Sequence, residues 1–362
     1  MKKLTLIAFA ILIAASCFAC KDKPKTDEDA TGQLSDTVAV NETDAVADTP
    51  VVYMYTQIDS TNLVKIYEAL GREAKGNVAV KLSTGEPGGH NFLDPNLVKA
   101  LVTKVNGTIV ECNTAYGGGR ANTQDHLKAA AEHGFTAIAK VDIMDADGEV
   151  ELPIPTSKHL NGVDYVGKNL LNYDFLVVLS HFKGHAMGGF GGAIKNISIG
   201  CASASGKGWI HSAGTTREID WNKLPKQDDF LESMAEAASA ITTHFGDKII
   251  YISVANNLSV DCDCDSSPED PKMADIGILA SLDPVALDRA CTDLVRSSKD
   301  RGKKHLIERI DSRHGMHTLD YAETELGMGK QVYKLVVLDA PKDEAAAAKA
   351  APKAATHAAK KK

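Results

Sequence analysis

The sequence is short of three things, and each shortage narrows what the protein can be. It has no excess of positive charge: 40 Lys and Arg stand against 48 Asp and Glu, for a net charge of −8. That balance argues against a nucleic-acid-binding surface, so no nucleic-acid partner is expected. Past the first twenty residues there is no apolar run approaching the roughly 20 residues that cross a bilayer. There is no disulfide scaffold either, because the seven cysteines lack the spacing of small cross-linked domains. No internal repeat is visible. What is present is an ordinary globular composition, 44 % hydrophobic and 24 % charged, with ample material for a core in one large or two small domains.

The ends read differently from the middle. Lys2 and Lys3 precede an apolar run, Leu4–Ala15, followed by small residues and cysteine. This is the pattern of a lipoprotein signal peptide over residues 1–20, too short for a transmembrane helix. Cys20 is the expected lipidated residue, because the chain turns polar directly after it; Cys17 is the alternative. The reading implies export and lipid anchoring to the bacterial cell envelope, on the periplasmic or outer-membrane face. Residues 21–50 have no hydrophobic period and read as a solvated tether; residues 341–362, rich in Ala and Lys, read as a disordered tail.

Between them, residues 51–340 alternate strand and helix patterns. Val51–Tyr55, Asn77–Leu82, Gly107–Cys112, Phe175–Ser180, Lys248–Val254, Ile276–Ala280 and Val332–Leu338 read as strands. Asn62–Gly71, Pro95–Val105, Thr123–His133, Phe230–Phe245 and Pro284–Val295 read as helices, the last with Asp283 as cap and Pro284 at its first position. The alternation predicts an α/β fold: a largely parallel sheet with flanking helices, either as one body or as two α/β subdomains. Ligands of such sheets gather beyond the carboxyl ends of strands. The loops after Leu82, Cys112 and Leu179 occupy that position.

The stretch His181–Asn196 holds the densest chemistry. His181 and His185 follow a buried strand, glycines 188, 189, 191 and 192 come next, then Lys195. Glycines allow close backbone approach to a ligand and expose N–H groups to anions. A lysine there can pair with phosphate or act as a nucleophile, and imidazoles can bind metal or move protons. A second loop offers Gly118 and Arg120. The run Asp261-Cys262-Asp263-Cys264-Asp265 packs thiols and carboxylates too densely to be buried without a cation. A Cys262–Cys264 bridge would close a very tight ring, so the pair reads as a metal or redox site for zinc, copper or iron. Cys112 and Cys201 read as small buried hydrophobes, and His126, His133 and His159 as surface or helix residues. The His314-Gly-Met-His317 spacing is metal-like.

These motifs resemble a known family. Lys81–Gly88, Thr114–Arg120, His181–His185, Gly189–Asn196, Gly200–Ser203, His211-Ser212, Asp261–Cys264 and Asp275–Ser281 follow the order seen in domain-of-unknown-function family 362, the "uncharacterised iron–sulfur centre proteins". Many members carry a ferredoxin cassette after the His-Ser pair; residues 213–229 here contain no cysteine, so this chain has no ferredoxin-type cluster motif. More distantly, His185, Gly189-Phe190, Gly192, Lys195 and His211 resemble the core of nickel-dependent lactate racemase. That resemblance implies acid/base work for His185, cofactor attachment for Lys195 and metal ligation for His211. It suggests a shared ancestral fold carrying another metal or ligand.

The candidate site therefore has His185 and Lys195 as catalytic residues. Gly189, Gly191, Gly192, Lys195, Gly118 and Arg120 are its cofactor-binding residues, and His181, His211, Cys262 and Cys264 its metal ligands. The metal is not identified by sequence. The function expected is a metal- or cofactor-dependent enzyme of redox or isomerase type; the alternative is a non-catalytic module that binds a metal or a small anionic molecule.

Overall fold

A computed structural model describes residues 49–340. The expected signal peptide, the lipidated Cys20, nearly all of the tether and the tail lie outside the described residues. The strands are β1 (Val51–Tyr55), β2 (Val78–Lys81), β3 (Gly107–Glu111), β4 (Val141–Ile143), β5 (Glu149–Pro153), β6 (Val163–Gly167), β7 (Phe175–His181), β8 (Lys183–His185), β9 (Gly189–Gly191), β10 (Ile249–Ala255), β11 (Gly277–Ser281) and β12 (Lys334–Val337). The helices are α1 (Ser60–Ala69), α2 (Pro95–Lys104), α3 (Thr123–Glu132), α4 (Ala193–Ile197), α5 (Ala204–His211), α6 (Gln227–Phe245), α7 (Pro284–Ser297), α8 (Lys303–Ser312) and α9 (His317–Thr324).

Eight strands form one sheet in the order β12-β1-β11-β10-β7-β2-β3-β4. All neighbours are parallel except where β11 runs antiparallel to both β1 and β10. The largely parallel α/β sheet expected from the sequence is thus present. The described residues belong to a single unit, so the option of two subdomains is not taken. One sheet runs through both halves, because β7 pairs with β2 on one side and β10 on the other.

Burial on both faces explains why β7 reads as an unbroken apolar run. Successive side chains of a strand point to opposite faces. Val177 and Leu179 pack with Leu63, Ile66 and Leu101 of α1 and α2; Leu176 and Val178 pack with Ile194, Ala238 and Leu287 of α4, α6 and α7. Each such fully buried aliphatic side chain contributes about 2 kcal/mol. Helix starts follow cap chemistry. Asp94 accepts the N–H of Asn96, and Asp283 accepts the N–H of Ala286, each ahead of a proline at the first turn. Helix α1 begins two residues before its apolar pattern because Asp59 supplies the cap.

The glycine-rich stretch after β7 is not an open loop. Lys183–His185 and Gly189–Gly191 pair as an antiparallel hairpin. Its N–H groups are partly committed to that ladder, which the absence of β-branched residues concealed.

Candidate functional site

The parallel strands β2, β3, β7 and β10 end on the same side of the sheet, and the chemistry collects there. β3 ends in Glu111, whose carboxylate is buried. It accepts the Thr84 N–H (2.9 Å) and hydroxyl, the Arg120 guanidinium (3.1 Å) and His126 Nε2 (3.2 Å). Burial alone would raise its pKa, but His126 and Arg120 outweigh burial and hold it well below the usual carboxylate range. Arg120 also donates to Glu86 (2.9 Å) and to the Tyr116 hydroxyl (3.2 Å). One guanidinium thus ties its own loop to Glu86, 34 residues earlier, and to the end of β3. Gly118 has φ +84°, and a Cβ there would strike the Glu86 carboxylate. This glycine lets the Tyr116–Arg120 loop close on Glu86, whose carboxylate also takes the Gly119 N–H.

A second carboxylate, Asp263, lies between the ends of β7 and β10. It is buried, with His181 Nδ1 at 2.9 Å and Lys183 Nζ at 2.6 Å. Burial would raise its pKa; Lys183 and His181 hold it far below the ordinary value. The cation that the Asp-Cys-Asp-Cys run requires is therefore, at Asp263, the chain's own Lys183. His181 spends its other nitrogen on the Asn256 carbonyl (2.7 Å). With both ring nitrogens engaged, His181 positions Asp263 and offers no free nitrogen to a metal.

Cys262 and Cys264 form a disulfide, where the sequence reading favoured an open pair. The turn brings their Cα atoms to 5.2 Å, within the span a bridge requires. The Asp265 N–H closes this turn on the Cys262 carbonyl (2.9 Å). The histidine beside the sulfurs is His185. One ligand atom from each of His185, Cys262 and Cys264 lies within 4.8 Å of the others. His185 Nδ1 accepts the backbone N–H groups of Met187 (3.2 Å) and Gly188 (2.8 Å), leaving Nε2 as its free nitrogen. In the neutral ring that arrangement puts the proton on Nε2. Burial, then Lys195 and His211, hold the His185 pKa well below 6.5, so the ring is neutral.

The side-chain amine of Lys195, on α4, has no hydrogen-bond or ion-pair partner among the described residues. Burial and the charges of Lys183, Lys81 and Arg120, opposed by Asp263, bring its pKa down to about 7. The other cations are spoken for: Lys81 donates to the Leu82 carbonyl and Asn196, and Lys207 to the Ala202 carbonyl. His211 gives Nδ1 to the Lys207 carbonyl (2.7 Å) and lies against Phe230. Burial lowers its pKa to about 4. It is close enough to act electrostatically on His185, but it is not part of the sulfur group.

Glu86, Tyr116, Gly118, Gly119, Cys262 and Cys264 line a cavity of about 510 Å³. A larger depression, about 750 Å³, lies at the opposite end of the sheet, lined by Asn77, Gly107, Thr108 and Asp142, and holds none of the groups above. Of the cofactor-binding glycines, Gly189 and Gly191 sit in the hairpin, and Gly192 precedes α4. The α4 N–H groups of Ala193 and Ile194 are capped by Asp288 of α7 at 2.7 and 3.0 Å. Gly192 makes room for that carboxylate, so this helix start is not open to an anion.

Sequence reasoning passed over Glu86, Glu111, Lys183 and Asp263 as individual site residues. The signal was there in Glu111, a lone carboxylate closing an apolar strand. His126, read as a surface or helix residue, is on α3 but fully buried against Glu111 and Asn113. Cys112 and Cys201 are buried free thiols, as expected.

With the Cys262–Cys264 bridge reduced, the donor set would offer a single soft ion two thiolates and an imidazole. It does not fit a ferredoxin cluster, which takes four thiolates, because the remaining described cysteines are buried elsewhere.

Fold and site together define an α/β protein with a charge-dense centre at the carboxyl end of a mostly parallel sheet. The chain belongs to the family described as Domain of unknown function (DUF362), whose model matches residues 78–293. That span contains every candidate site residue except Cys20. No curated protein matches the chain. Among solved structures, the lactate racemase apoprotein from Thermoanaerobacterium thermosaccharolyticum is similar at 16 % identity and TM-score 0.36, over 57 % of this chain and 51 % of that one. A structural-genomics target protein from Thermotoga maritima is similar at 13 % identity and TM-score 0.38, over 70 % and 58 %. The chain therefore spans between half and three-fifths of the length of these proteins.

Proposed function

We propose that this chain is a metal- or cofactor-dependent enzyme of redox or isomerase type, held on the bacterial cell envelope by a lipid on Cys20. One observation carries the enzyme reading: His185, Cys262 and Cys264 converge within 4.8 Å beside the cavity. As thiolates, Cys262 and Cys264 with His185 would hold zinc, copper or iron, which would supply Lewis-acid or redox chemistry. A metal there would take the place of the thiol protons, so its affinity would fall in acid. Lys195 is about half amine at pH 7 and has no partner of its own. It takes a proton from a bound substrate or bonds to its carbonyl. Arg120, locked between Glu86 and Glu111, fixes the cavity wall.

The anchor rests on the Leu4–Ala15 run and the cysteine after it. No described helix is long and apolar enough to cross a membrane. A membrane-fraction mass spectrum of the amino-terminal peptide would show a diacylated Cys20; a chain with neither Cys20 nor Cys17 acylated removes the anchor.

Elemental analysis and a visible spectrum of the chain purified without chelator test the metal. One equivalent is expected, lost on His185→Ala and kept on Lys195→Ala, which loses turnover instead. A folded, metal-free protein under reducing conditions overturns the reading.

A second reading is capture of a small anion without chemistry. The observation favouring it is the company of Lys195: Lys183, Lys81 and Arg120 act on it against Asp263, and His185 Nε2 presents a proton. It predicts tight anion retention and no turnover.

A further inference from the structure

The two sulfurs that complete the ligand group are bonded to each other. A sulfur in a disulfide is not a thiolate, and the thiolate is the metal ligand. Both states use the same atoms, so they exclude one another. The bridge is also unequal in its exposure. Cys262 is buried at 6 % exposure, while Cys264 is half-buried; both line the cavity. The Cys264 N–H donates to Cys262 Sγ (3.4 Å), a donor placed to steady negative charge on the inner sulfur.

The turn that carries the pair does not depend on the bridge. Asp263 between the cysteines is fixed by His181 and Lys183, and its carbonyl accepts the Glu86 N–H (2.8 Å). The Asp265 N–H holds the Cys262 carbonyl. Opening the S–S bond leaves these contacts in place, so the sulfurs stay beside His185.

We propose that Cys262–Cys264 is a thiol–disulfide exchange site, opened by a small thiol at Cys264, and that only the opened pair takes a soft metal ion with His185. The inference rests on the metal reading above. In the first step a thiolate attacks Cys264 Sγ; the S–S bond breaks and Cys262 leaves as a thiolate. In the second step another thiolate attacks the thiol-derived sulfur of the mixed disulfide, and Cys264 leaves as a thiolate. Two small thiols are oxidised to one small disulfide, and their two electrons reduce the bridge. The two protons they lose go to solvent when metal binds, or to the cysteines when it does not.

The test uses the full chain, oxidised or reduced with dithiothreitol and desalted anaerobically, with cobalt(II) as the metal probe. The reduced chain gains two titratable thiols. It is expected to bind one equivalent with thiolate-to-metal absorption, and the oxidised chain to bind about 100-fold more weakly or not at all. In Cys262→Ser, Cys264 should form a mixed disulfide with an aromatic disulfide probe about tenfold faster than Cys262 does in Cys264→Ser. Equal cobalt binding by both forms overturns the gate and leaves the metal reading standing. No cobalt binding by a chain that has gained its two thiols overturns the metal reading and the gate with it. A reductant that yields no new thiols overturns the exchange site whatever the metal does.

Discussion

Two groups of buried charge in this molecule are built on opposite plans. On α6, Glu236 is fully buried and saturated by the chain itself. It accepts from the Ser157 hydroxyl, the N–H groups of Lys158, His159 and Leu160, and the Tyr321 hydroxyl, all at 2.7–3.2 Å. One turn earlier, Glu232 takes Lys158, His159 and His317 at 2.6–3.0 Å. This group ties α6 to the loop before β6 and to α9. At the carboxyl end of the sheet, Glu111 and Asp263 are equally well satisfied, but Lys195, His185 Nε2 and the sulfur pair are not. A saturated buried charge holds chain segments together; an unsaturated one has capacity left for a ligand. The His314/His317 spacing belongs to the first plan, since His317 donates to Glu232 and His314 to Asp228.

Breaking the saturated group should cost the most stability. Glu236→Ala strands three backbone N–H groups and two hydroxyls, and should lower unfolding free energy by about 3 kcal/mol or more in urea titrations. The same variant should keep its metal per folded molecule; losing metal at native stability would erase the contrast. His185→Ala should show the reverse, with metal binding abolished for a stability loss of about 1 kcal/mol.

Lys195 gives a subtler test, through pH. Its pKa is about 7 in the folded chain and near the ordinary 10.5 when unfolded. The unfolded state binds more protons between those values, so wild-type stability rises with pH across that window. The penalty is full below pH 7. Lys195→Met should therefore be more stable than wild type at pH 6, and the difference should shrink towards pH 10; a constant difference in thermal melts would count against a strained amine. The Glu232 carboxyl moves the other way. Burial raises its pKa, but the hydrogen bonds from Lys158, His159 and His317 lower it to about 2. Its contribution is present above about pH 4.5 and lost as pH falls towards 2, so Glu232→Gln should flatten the acid limb of a stability profile. The smallest effect is expected on α3, where breaking the exposed Lys128–Glu132 pair by Lys128→Ala should leave the urea midpoint unchanged.

Much of the frame was legible before the structure. Val51–Tyr55 is legible to its observed ends from its alternation, and Phe175–His181 to within one residue from an apolar run buried on both faces. The starts of α2 and α7 were legible from Asp-Pro pairs. The hairpin at Lys183–Gly191 was not, since Lys-Gly-His and Gly-Phe-Gly carry no strand-forming side chains. Helix α8 was missed beneath a run of charge. At the site, the loops after Leu82, Cys112 and Leu179 were found because reactive residues accumulate past apolar strands. Their partners were not found. His181 was assigned to the metal and proves committed to Asp263, while His185 stands with the sulfurs.

The sequence by itself determined the local facts: which segments extend, where helices are capped, and where glycine, thiol, imidazole and amine cluster. These follow from side-chain period and cap chemistry within a few residues. Only the tertiary structure decided which of those groups meet. Asp263 finds Lys183 80 residues away, Glu111 shares Arg120 with Glu86, and His185 faces Cys262 and Cys264. The physical reason is strand order: β7 lies between β2 and β10, and that order comes from packing two apolar faces at once, which no local period encodes.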